Sequence, residues 1–376
     1  MKILYITNNL SGSDGWSRYS IDIAKAFDEQ ETLWVVSNKL ENKFSQKKLL
    51  YEPLRYLSNI FWVFVSAVKI NKTIKSFSPD VVHFLVEPYL MVLPFLNIKK
   101  AKIVSTVHGT YSFLPNTRKN GIKKIILLWW IKFIYKKIDN IVAVSNYTKN
   151  YLIGCLNDYH IKGVKEKITV ISNGVDFYNF YRAREKKYIT KTKHILFVGA
   201  VKRRKGLHEA INALKFYNDN FSSDFVFDIV GYYKKKDKYY LYLKSLINSY
   251  ELDDKIKFKN RVDELILRDY YVKADLFLML STKEENKFEG FGLVYLEANT
   301  YGVPCVGAKY SGAEDAILDG KTGYLAEANS RKDVSDKINL VLDKHTINSD
   351  VCVSWAKQND IKIKSKEIFE IYKKIK

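Results

Sequence analysis

Short, nearly continuous apolar runs alternate with longer helical stretches along the whole chain. Such runs are typical of parallel strands that are buried on both faces of a sheet. Six are predicted in the first half, at Lys2–Thr7, Leu33–Ser37, Val81–Leu85, Lys102–Val107, Asn140–Ser145 and Ile168–Ser172. Six more are predicted in the second half, at His194–Gly199, Phe225–Gly231, Lys255–Lys259, Asp275–Leu280, Pro304–Gly307 and Thr322–Ala326. The pattern predicts two α/β domains, each with a doubly wound parallel sheet.

The length of 376 residues also favours two domains over a single core. The polar run Arg182–Lys193 is the expected connection between them. We therefore place an N-terminal domain at residues 1–178 and a C-terminal domain at residues 179–357. A last helix, from about Asp360 to the C-terminus, places apolar residues on one face: Ile361, Ile368, Ile371, Tyr372 and Ile375.

The composition adds a strong positive charge of +21, and only ten of the 62 basic residues are arginine. An anionic membrane surface, an anionic substrate and a lysine-rich compositional bias are the alternative explanations. Nucleic-acid binding is not expected, because no recognition motif accompanies the charge and arginine is sparse. Three cysteines, odd in number and far apart, favour reduced thiols in a cytoplasm. Neither the cysteines nor the six scattered histidines have a metal-ligand spacing. The first residues predict a strand and not a signal peptide.

The most informative segment is Phe288–Glu297, in which Glu289 and Glu297 lie eight residues apart across a glycine-bearing loop. Gly290 and Gly292 allow the backbone to approach a ligand, and the helix that follows offers N–H groups to an anion. Carboxylates suit the hydroxyl groups of a sugar or ribose. These features indicate a site for a sugar nucleotide, whereas the simplest alternative is a loop followed by a solvated helix.

This segment resembles the paired-glutamate signature of retaining GT-B glycosyltransferases of family 4 (glycosyl transferases group 1). The resemblance implies two Rossmann-like domains with a cleft between them, and a C-terminal helix (358–376) that packs back on the first domain. It also implies a nucleotide-diphosphate sugar as donor and no metal or other cofactor. Glu289 would hold the transferred sugar and Glu297 the ribose. Further donor contacts would come from Gly290, Phe291, Gly292, Leu293 and Val294.

A basic loop follows the first strand of the second half, at Ala200–Gly206. Fixed cations beside a helix N-terminus are what a departing diphosphate requires. The segment is similar to the family's diphosphate-binding loop, with Gly199 at the strand end and Arg204 and Lys205 as the cations. Many members have arginine directly after the first glycine, where this chain has Ala200. A solvated basic loop in a lysine-rich protein is the alternative.

Two further segments resemble parts of the family's active site. The loop Ser11–Tyr19 contains Gly12 and Gly15 and resembles the N-terminal glycine loop, although an ordinary βα turn has the same composition. His108 ends a predicted strand, where side chains point towards ligands in α/β domains. By resemblance this histidine would contact the transferred sugar, whereas a purely structural role is the alternative. His83, at the end of another strand, is expected to be structural.

Four shorter matches complete the resemblance. Asn173–Asp176 resembles the hinge that opens the second domain, and Val144–Asn146 resembles a strand end facing the cleft. Gly231 matches a glycine near the nucleotide. Val262 lies where relatives position the base.

The resulting prediction is a cytoplasmic, retaining glycosyltransferase that acts on a glycan or lipid-linked acceptor in surface polysaccharide or glycoconjugate biosynthesis. In the mechanism that the resemblance implies, an oxygen of the leaving phosphate helps to deprotonate the acceptor on the same face. A sugar-nucleotide epimerase of the same fold and a non-catalytic relative that binds membranes or glycans are the alternatives.

The segment Gly121–Lys137 combines apolar bulk with two tryptophans and five lysines. Its apolar run is shorter than the roughly 20 residues that cross a bilayer. One interpretation is a core helix whose lysines extend to solvent. The other is a helix that rests on the anionic inner face of the cell membrane, aided by Arg118 and Lys119.

Overall fold

The computed structural model describes residues 1–11, 15–27, 32–38, 46–53, 55–109, 122–181, 192–285 and 287–376. The chain divides into two compact units. Unit 1 comprises Met1–Asn173 and Ile361–Lys376, and unit 2 comprises Gly174–Asp360. These bounds differ by a few residues from the predicted ones. Most of the predicted connection, Arg182–Lys193, lies outside the described residues.

Unit 1 is built on a seven-stranded parallel sheet with the order β3-β2-β1-β4-β5-β6-β7, where elements are numbered in chain order through both units. The strands are β1 (Lys2–Ile6), β2 (Thr32–Ser37), β3 (Gln46–Lys48), β4 (Val81–Phe84), β5 (Lys102–Val107), β6 (Asn140–Ala143) and β7 (Ile168–Val170). The α-helices are α1 (Gly15–Phe27), α2 (Arg55–Ser58), α3 (Ile60–Phe77), α4 (Ile122–Lys137), α5 (Asn146–Asp158) and, from the C-terminus, α14 (Ile361–Ile375). In the described part of unit 1, 3₁₀ helices also span Glu87–Phe95 and Lys165–Lys167.

All six strands predicted for the first half are present, and β3 is additional. This edge strand has the sequence Gln-Lys-Lys, so it carries no apolar signal, and among the described strands it pairs with β2 alone. Lysine on an edge strand discourages further strand pairing. Its strand character comes from hydrogen bonds to β2, which a hydrophobic pattern does not reveal.

The C-terminal helix α14 packs on one face of the unit 1 sheet, next to α1. The predicted apolar face is the buried one: Ile361, Ile368, Ile371 and Tyr372 are each at most 6% exposed. Since this helix follows unit 2 in the chain but shares the core of unit 1, the polypeptide passes between the two units twice.

Unit 2 contains a six-stranded parallel sheet with the order β10-β9-β8-β11-β12-β13. Its strands are β8 (Lys193–Val198), β9 (Phe225–Val230), β10 (Ile256–Lys259), β11 (Leu276–Met279), β12 (Cys305–Ala308) and β13 (Gly323–Ala326). Its α-helices are α6 (Phe177–Phe180), α7 (Leu207–Asn220), α8 (Lys238–Ser249), α9 (Glu264–Lys273), α10 (Leu293–Thr300), α11 (Ala313–Ala316), α12 (Arg331–Leu342) and α13 (Ser349–Gln358). All six predicted strands are found. The predicted α/β class with two Rossmann-like sheets is therefore confirmed.

The strand order of unit 2 reverses direction between β8 and β11. From β8 the chain proceeds through β9 to β10 on one side, and then returns to place β11 on the other side. In an open parallel sheet, the loops that leave such a point diverge and form a crevice at the carboxyl ends of the strands. The fold thus determines where a ligand site of unit 2 is expected.

Several helices begin at side-chain caps, such as Ser145 on α5 and Asp263 on α9. The two helices nearest the crevice differ from these. Both α7 and α10 follow a left-handed glycine, Gly206 and Gly292, and no side chain of the described residues caps either of them. In the described parts of the chain, no helix has the length and apolar character needed to cross a membrane.

Candidate active site

The candidate donor residues of unit 2 lie on loops that follow the carboxyl ends of its strands. Gly199 directly follows β8, Gly231 follows β9 and Val262 lies between β10 and α9. The segment Glu289–Val294 lies between β11 and α10, with Leu293 and Val294 in the first turn of the helix. Residues from Gly199 to Val294, far apart in the sequence, therefore lie along the carboxyl edge of the unit 2 sheet.

Arg204 and Lys205, which follow β8, form an ionic cluster with Glu289, which follows the neighbouring strand β11. Arg204 Nη1 is 3.3 Å from Oε2 of Glu289, and Lys205 Nζ donates a hydrogen bond to the same oxygen. The side chains of the three residues are only 13–25% exposed. The sequence had predicted all three residues for this site but not their mutual pairing. Because two cations share one carboxylate, the cluster carries a net positive charge.

Burial and charge act in opposite directions on this cluster. Burial lowers the pKa of the Lys205 ammonium group, and the Glu289 carboxylate opposes this effect. Burial raises the pKa of Glu289, but the nearby charges of Lys205 and Arg204 outweigh it and leave the pKa below its usual value. Glu289 is thus held ionised between two fixed cations. Such a preorganised arrangement can receive an anion with little rearrangement.

Two glycines hold the basic loop close to the sheet. Gly206 has a φ of 68°, and a Cβ on it would lie 1.8 Å from the carbonyl oxygen of Leu280. Gly231 packs equally closely, because its Cβ would lie 2.0 Å from the carbonyl oxygen of Gly199. The main-chain N–H of Thr282 also donates to the carbonyl of Arg204. Backbone packing therefore sets the distance from Arg204 and Lys205 to the loop Phe288–Gly292, called the Glu289 loop below.

The Glu289 loop is held from its other side by the segment after β12. The N–H of Gly312 donates to the carbonyl of Glu289 at 3.0 Å. A Cβ on Gly312 would lie 2.3 Å from the carbonyl group of Gly290, so no other residue fits there without a shift. Phe288 and Phe291 anchor the loop, with exposed fractions of 5% and 2%.

Glu297 lies on α10, separate from the ionic cluster. Its Oε2 accepts a 2.9 Å hydrogen bond from the hydroxyl of Tyr271 on α9. Tyr271 is fully buried and stacks on Tyr301 at a centroid distance of 5.5 Å. This support for Glu297 was not predicted, since a lone tyrosine on a helix carries no sequence signal of such a role.

In unit 1, His108 follows β5 and is mostly buried. Its Nε2 is 3.0 Å from the carbonyl oxygen of Leu85, so this nitrogen carries the proton and Nδ1 is left as an acceptor. Burial lowers the pKa of His108 to about 4. Its ring makes a T-shaped contact with the ring of Tyr19, with 4.7 Å between the ring centroids. At neutral pH the side chain is thus an uncharged hydrogen-bond acceptor.

The glycine loop of unit 1 is described only in part. Gly12 lies outside the described residues. Gly15 is the first residue of α1, and a Cβ on it would meet no described atom within 4 Å. Packing within the described chain therefore does not require glycine at position 15.

Glu87 is a buried carboxylic acid beside His108, and no sequence pattern indicates a role for it. Its Oε1 accepts hydrogen bonds from the main-chain N–H groups of His108 and Gly109, at 2.6 and 2.8 Å. Its Oε2 is buried without a hydrogen-bond partner among the described residues. Burial raises the pKa of Glu87 to about 7, although these hydrogen bonds oppose the shift. Glu87 thus positions the backbone that carries His108.

We expect Glu87→Gln to change how stability depends on pH. The folded-state pKa of about 7 exceeds the ordinary value of 4.5. The folded protein therefore binds the proton more tightly, and ionisation at rising pH costs stability. From pH 5 to pH 8, wild type should lose about 2.5 kcal/mol of stability relative to the variant, at about 1.4 kcal/mol per pKa unit. Urea unfolding at pH 5 and pH 8 measures this difference.

The exposed Glu166→Gln variant is the control. Parallel curves of stability against pH for wild type and Glu87→Gln would contradict the prediction.

His83 forms a buried hydrogen-bonded network, which agrees with the structural role expected for it. Its Nδ1 is 2.5 Å from the hydroxyl of Tyr372 on α14, and its Nε2 is 2.9 Å from that of Thr106. Thr106 also bonds the hydroxyl of Tyr19, the residue that contacts the His108 ring. Burial lowers the pKa of His83 to about 3, which keeps it neutral. The network ties α14 to the sheet beneath His108.

Among the described residues, no group of three His, Cys, Asp or Glu side chains lies close enough together to hold a metal ion.

Comparison with protein families gives two matches that together cover most of the chain. Residues 13–178 match the model described as Glycosyltransferase Family 4, and residues 180–359 match Glycosyl transferases group 1. An uncharacterised 41.2 kDa protein in the cps region of Klebsiella pneumoniae is 28% identical over 306 residues, covering 77% of this chain and 74% of that protein. Several other relatives are matched over less than two thirds of their own length.

Solved structures of similar fold cover the whole chain. A glycosyltransferase from Rickettsia africae has a TM-score of 0.77 at 21% identity, with 100% of this chain and 98% of that chain covered. HepE from Anabaena, solved with UDP and glucose, has a TM-score of 0.76 at 19% identity over all of both chains. At these identities the likeness shows the fold alone. The family matches, the fold and the paired-glutamate segment show that this chain belongs to the GT-B glycosyltransferases of family 4, group 1.

Proposed function

We propose that this enzyme transfers a sugar, with retention of configuration, from a nucleotide-diphosphate sugar to a glycan or lipid-linked acceptor. The observation that carries the proposal is the cluster of Arg204, Lys205 and Glu289 at the reversal point of the unit 2 sheet. The match to a protein from a cps region supports a role in surface polysaccharide assembly.

The proposed reaction breaks the bond between the anomeric carbon and the phosphate oxygen of the donor. Negative charge then grows on the departing diphosphate, and Arg204 and Lys205 stabilise it. The acceptor hydroxyl bonds to the anomeric carbon on the same face and gives its proton to the leaving phosphate oxygen. In this scheme the two cations provide the charge stabilisation, and we propose that no metal ion is required.

Glu289 has two proposed tasks. Without donor, its carboxylate holds both cations in place and offsets the cost of burying them. When a diphosphate takes over the cations, the carboxylate becomes available to accept hydrogen bonds from hydroxyl groups of the transferred sugar. The Glu289 carboxylate would thus pair with Arg204 and Lys205 in the absence of donor and with the sugar hydroxyl groups in its presence.

Glu297 is proposed to accept hydrogen bonds from the ribose hydroxyl groups. The Tyr271 hydroxyl already occupies one side of its Oε2, which orients the carboxylate. His108, uncharged with Nδ1 as acceptor, is proposed to bind a hydroxyl of the transferred sugar. It is thus assigned to orientation and not to proton transfer.

We expect substitutions of the two glutamates to have different kinetic effects. Glu297→Ala should chiefly raise the KM for donor, by the equivalent of about 1–3 kcal/mol for a charged hydrogen bond. Glu289→Ala should chiefly lower kcat, because it releases the two cations and removes the contact to the sugar. Steady-state kinetics at varied donor concentration separates the two effects. Tyr271→Phe should reproduce a milder form of the Glu297 effect, and wild-type kinetics in both glutamate variants would refute the assignment.

UDP-sugars are the proposed first donors to test, since HepE was also solved with UDP-glucose. In a thermal-shift screen of UDP-, GDP-, ADP- and CMP-sugars, the true donor should raise Tm by mass action. Turnover of that donor should continue in EDTA. Failure of every donor to raise Tm would oppose the proposal, and activity that is lost in EDTA and restored by Mg²⁺ or Mn²⁺ would disprove metal independence. Conversion of the donor without any acceptor into an epimer would favour the epimerase alternative.

A further inference from the structure

Two helices of unit 1 expose large apolar side chains next to each other. Both α3 and α4 pack against the 3₁₀ helix Glu87–Phe95. Eight of their apolar residues are 37–68% exposed: Ile60, Phe61, Phe64 and Val68 on α3, and Ile125, Ile126, Trp129 and Phe133 on α4. Single exposed apolar residues are ordinary, whereas a group of this size marks an interaction surface.

The exposed residues of the two helices are connected through Phe95. The ring of Phe95 lies 4.8 Å from that of Phe64 and 5.2 Å from that of Trp130, next to the exposed Trp129. A groove of about 700 Å³ opens along α3, and its lining is apolar apart from Lys69 and Lys72. The surface is therefore continuous from one helix to the other.

Along α3, the exposed side chains change from apolar to basic. Phe61, Phe64 and Val68 are followed on the same stripe, at spacings of three or four residues, by the exposed Lys72 and Lys75. The helix contains no aspartate or glutamate in its 18 residues. Its exposed face is therefore apolar at the beginning and positively charged at the end.

The same order is found on α4. Ile125, Trp129 and Phe133 form a stripe at four-residue spacing, and Lys136 and Lys137 follow in the last turn. This helix also contains no acidic residue. Its opposite side is buried in the core of unit 1 through Ile131, Ile134 and Tyr135. The helix is therefore partly a core helix, as one sequence interpretation held, but it also has an exposed apolar stripe.

The basic ends of both helices meet at one loop. Asn71 donates a hydrogen bond to the carbonyl of Phe95 at 2.9 Å, and Lys137 donates to that of Leu96 at 3.4 Å. The exposed Lys99 and Lys100 follow directly in this loop. Lysines from three segments thus surround one end of the apolar surface.

We propose that this apolar–lysine face of α3 and α4 docks unit 1 on an anionic lipid bilayer. Aromatic and aliphatic side chains would enter the interfacial region, while the lysines contact lipid phosphates. Charge selects this occupant over a second copy of the chain, because neither helix of a second copy offers a carboxylate to pair with the lysines of this face. The net charge of the chain, +21, is positive like the lysines of this face and also favours an anionic surface. For the proposed sugar transfer, such docking would bring the enzyme to a lipid-linked acceptor.

The test is co-sedimentation of the full chain with vesicles of phosphatidylcholine, with and without phosphatidylglycerol. Wild type should bind the anionic vesicles preferentially. Phe64→Ser with Trp129→Ser should weaken binding about tenfold or more, because two large apolar side chains are no longer available for transfer from water into the bilayer. Leu265→Ser with Ile266→Ser is the matched control, since these residues are 71% and 46% exposed on α9 of unit 2.

A second pair of variants tests the charge. Lys72→Glu with Lys136→Glu should reduce binding to anionic vesicles by about fivefold or more for each lysine replaced. Lys235→Glu with Lys236→Glu, on an exposed loop of unit 2, makes the same change in net charge and should bind as wild type does. Equal losses in both pairs would show that net charge alone governs binding and would overturn the proposal.

Two other results would also overturn it. One is vesicle binding that Phe64→Ser with Trp129→Ser leaves unchanged. The other is a dimer in analytical ultracentrifugation that these serines dissociate, because the face would then serve a second copy of the chain. No sugar nucleotide is present in the vesicle assay, so its result does not depend on the proposed reaction.

Discussion

The double variant Arg204→Ala with Lys205→Ala should lose about two to four orders of magnitude in kcat, as expected when the groups that stabilise a developing anion are removed. Both cations contact the same oxygen of Glu289, and both follow β8 at the point where the sheet order reverses. Without them the departing diphosphate has no fixed positive partner in the cluster. The Glu289 carboxylate is also left partly buried without its counter-ions, so its pKa should rise.

The neighbouring basic residues provide the control for this prediction. Lys202 and Arg203 lie in the same loop but are exposed, and no ion pair to a described carboxylate is found for either side chain. Lys202→Ala with Arg203→Ala changes the net charge equally and should keep kcat within a few-fold of wild type. Steady-state kinetics and circular dichroism should be recorded for both double variants. Similar losses in the two would mean that the positive charge of the whole loop matters, and not the paired cations.

Gly206→Ala is expected to have the largest effect on stability. Its φ of 68° disfavours any residue with a Cβ, and the added atom would meet the Leu280 carbonyl at 1.8 Å. Left-handed strain of about 1–2 kcal/mol and overpacking of about 1–3 kcal/mol add to a loss of about 2–5 kcal/mol. The basic loop can relieve the clash only by moving away from β11, so kcat should fall as well. Urea unfolding and donor kinetics measure the two effects.

Gly154 in α5 offers the opposite case. A Cβ at this exposed helical position would meet no described atom within 4 Å, so Gly154→Ala should stabilise the protein by about 0.5–1 kcal/mol. The two variants make the same chemical change, and they differ in backbone conformation and in the space around the Cβ. Equal stabilities for Gly206→Ala and wild type would show that the loop rearranges without cost, which contradicts the packing argument.

Much of the fold could be predicted from the sequence because buried parallel strands are apolar at successive positions. This signal located twelve strands and the buried face of α14. It missed β3, since the polar residues Gln46, Lys47 and Lys48 become a strand only by pairing with β2. The division near Asn173 and Gly174 was indicated by family resemblance, and apolar periodicity alone did not reveal it.

The candidate site was predictable in its residues but not in its contacts. Glycine spacing, paired carboxylates and the family resemblance predicted Glu289 and Glu297 as candidates, and the basic loop predicted Arg204 and Lys205. Nothing in the sequence indicated that Tyr271 orients Glu297 or that Glu87 holds the backbone of His108. A lone buried acid or tyrosine follows no spacing rule, because its partner comes from another part of the chain.

By itself, the sequence determined the two α/β sheets and the strand-end loops, because both depend on local patterns of apolar, glycine and charged positions. Together with the family resemblance, it also supplied the candidate residues for a sugar-nucleotide site. Only the tertiary structure decided which of these groups meet. Lys205 and Glu289 are 84 residues apart and share a hydrogen bond because β8 and β11 are neighbours in the sheet. The apolar stripes of α3 and α4 likewise form one surface because both helices pack against the same 3₁₀ helix. Contacts between distant segments depend on chain topology, which local patterns do not record.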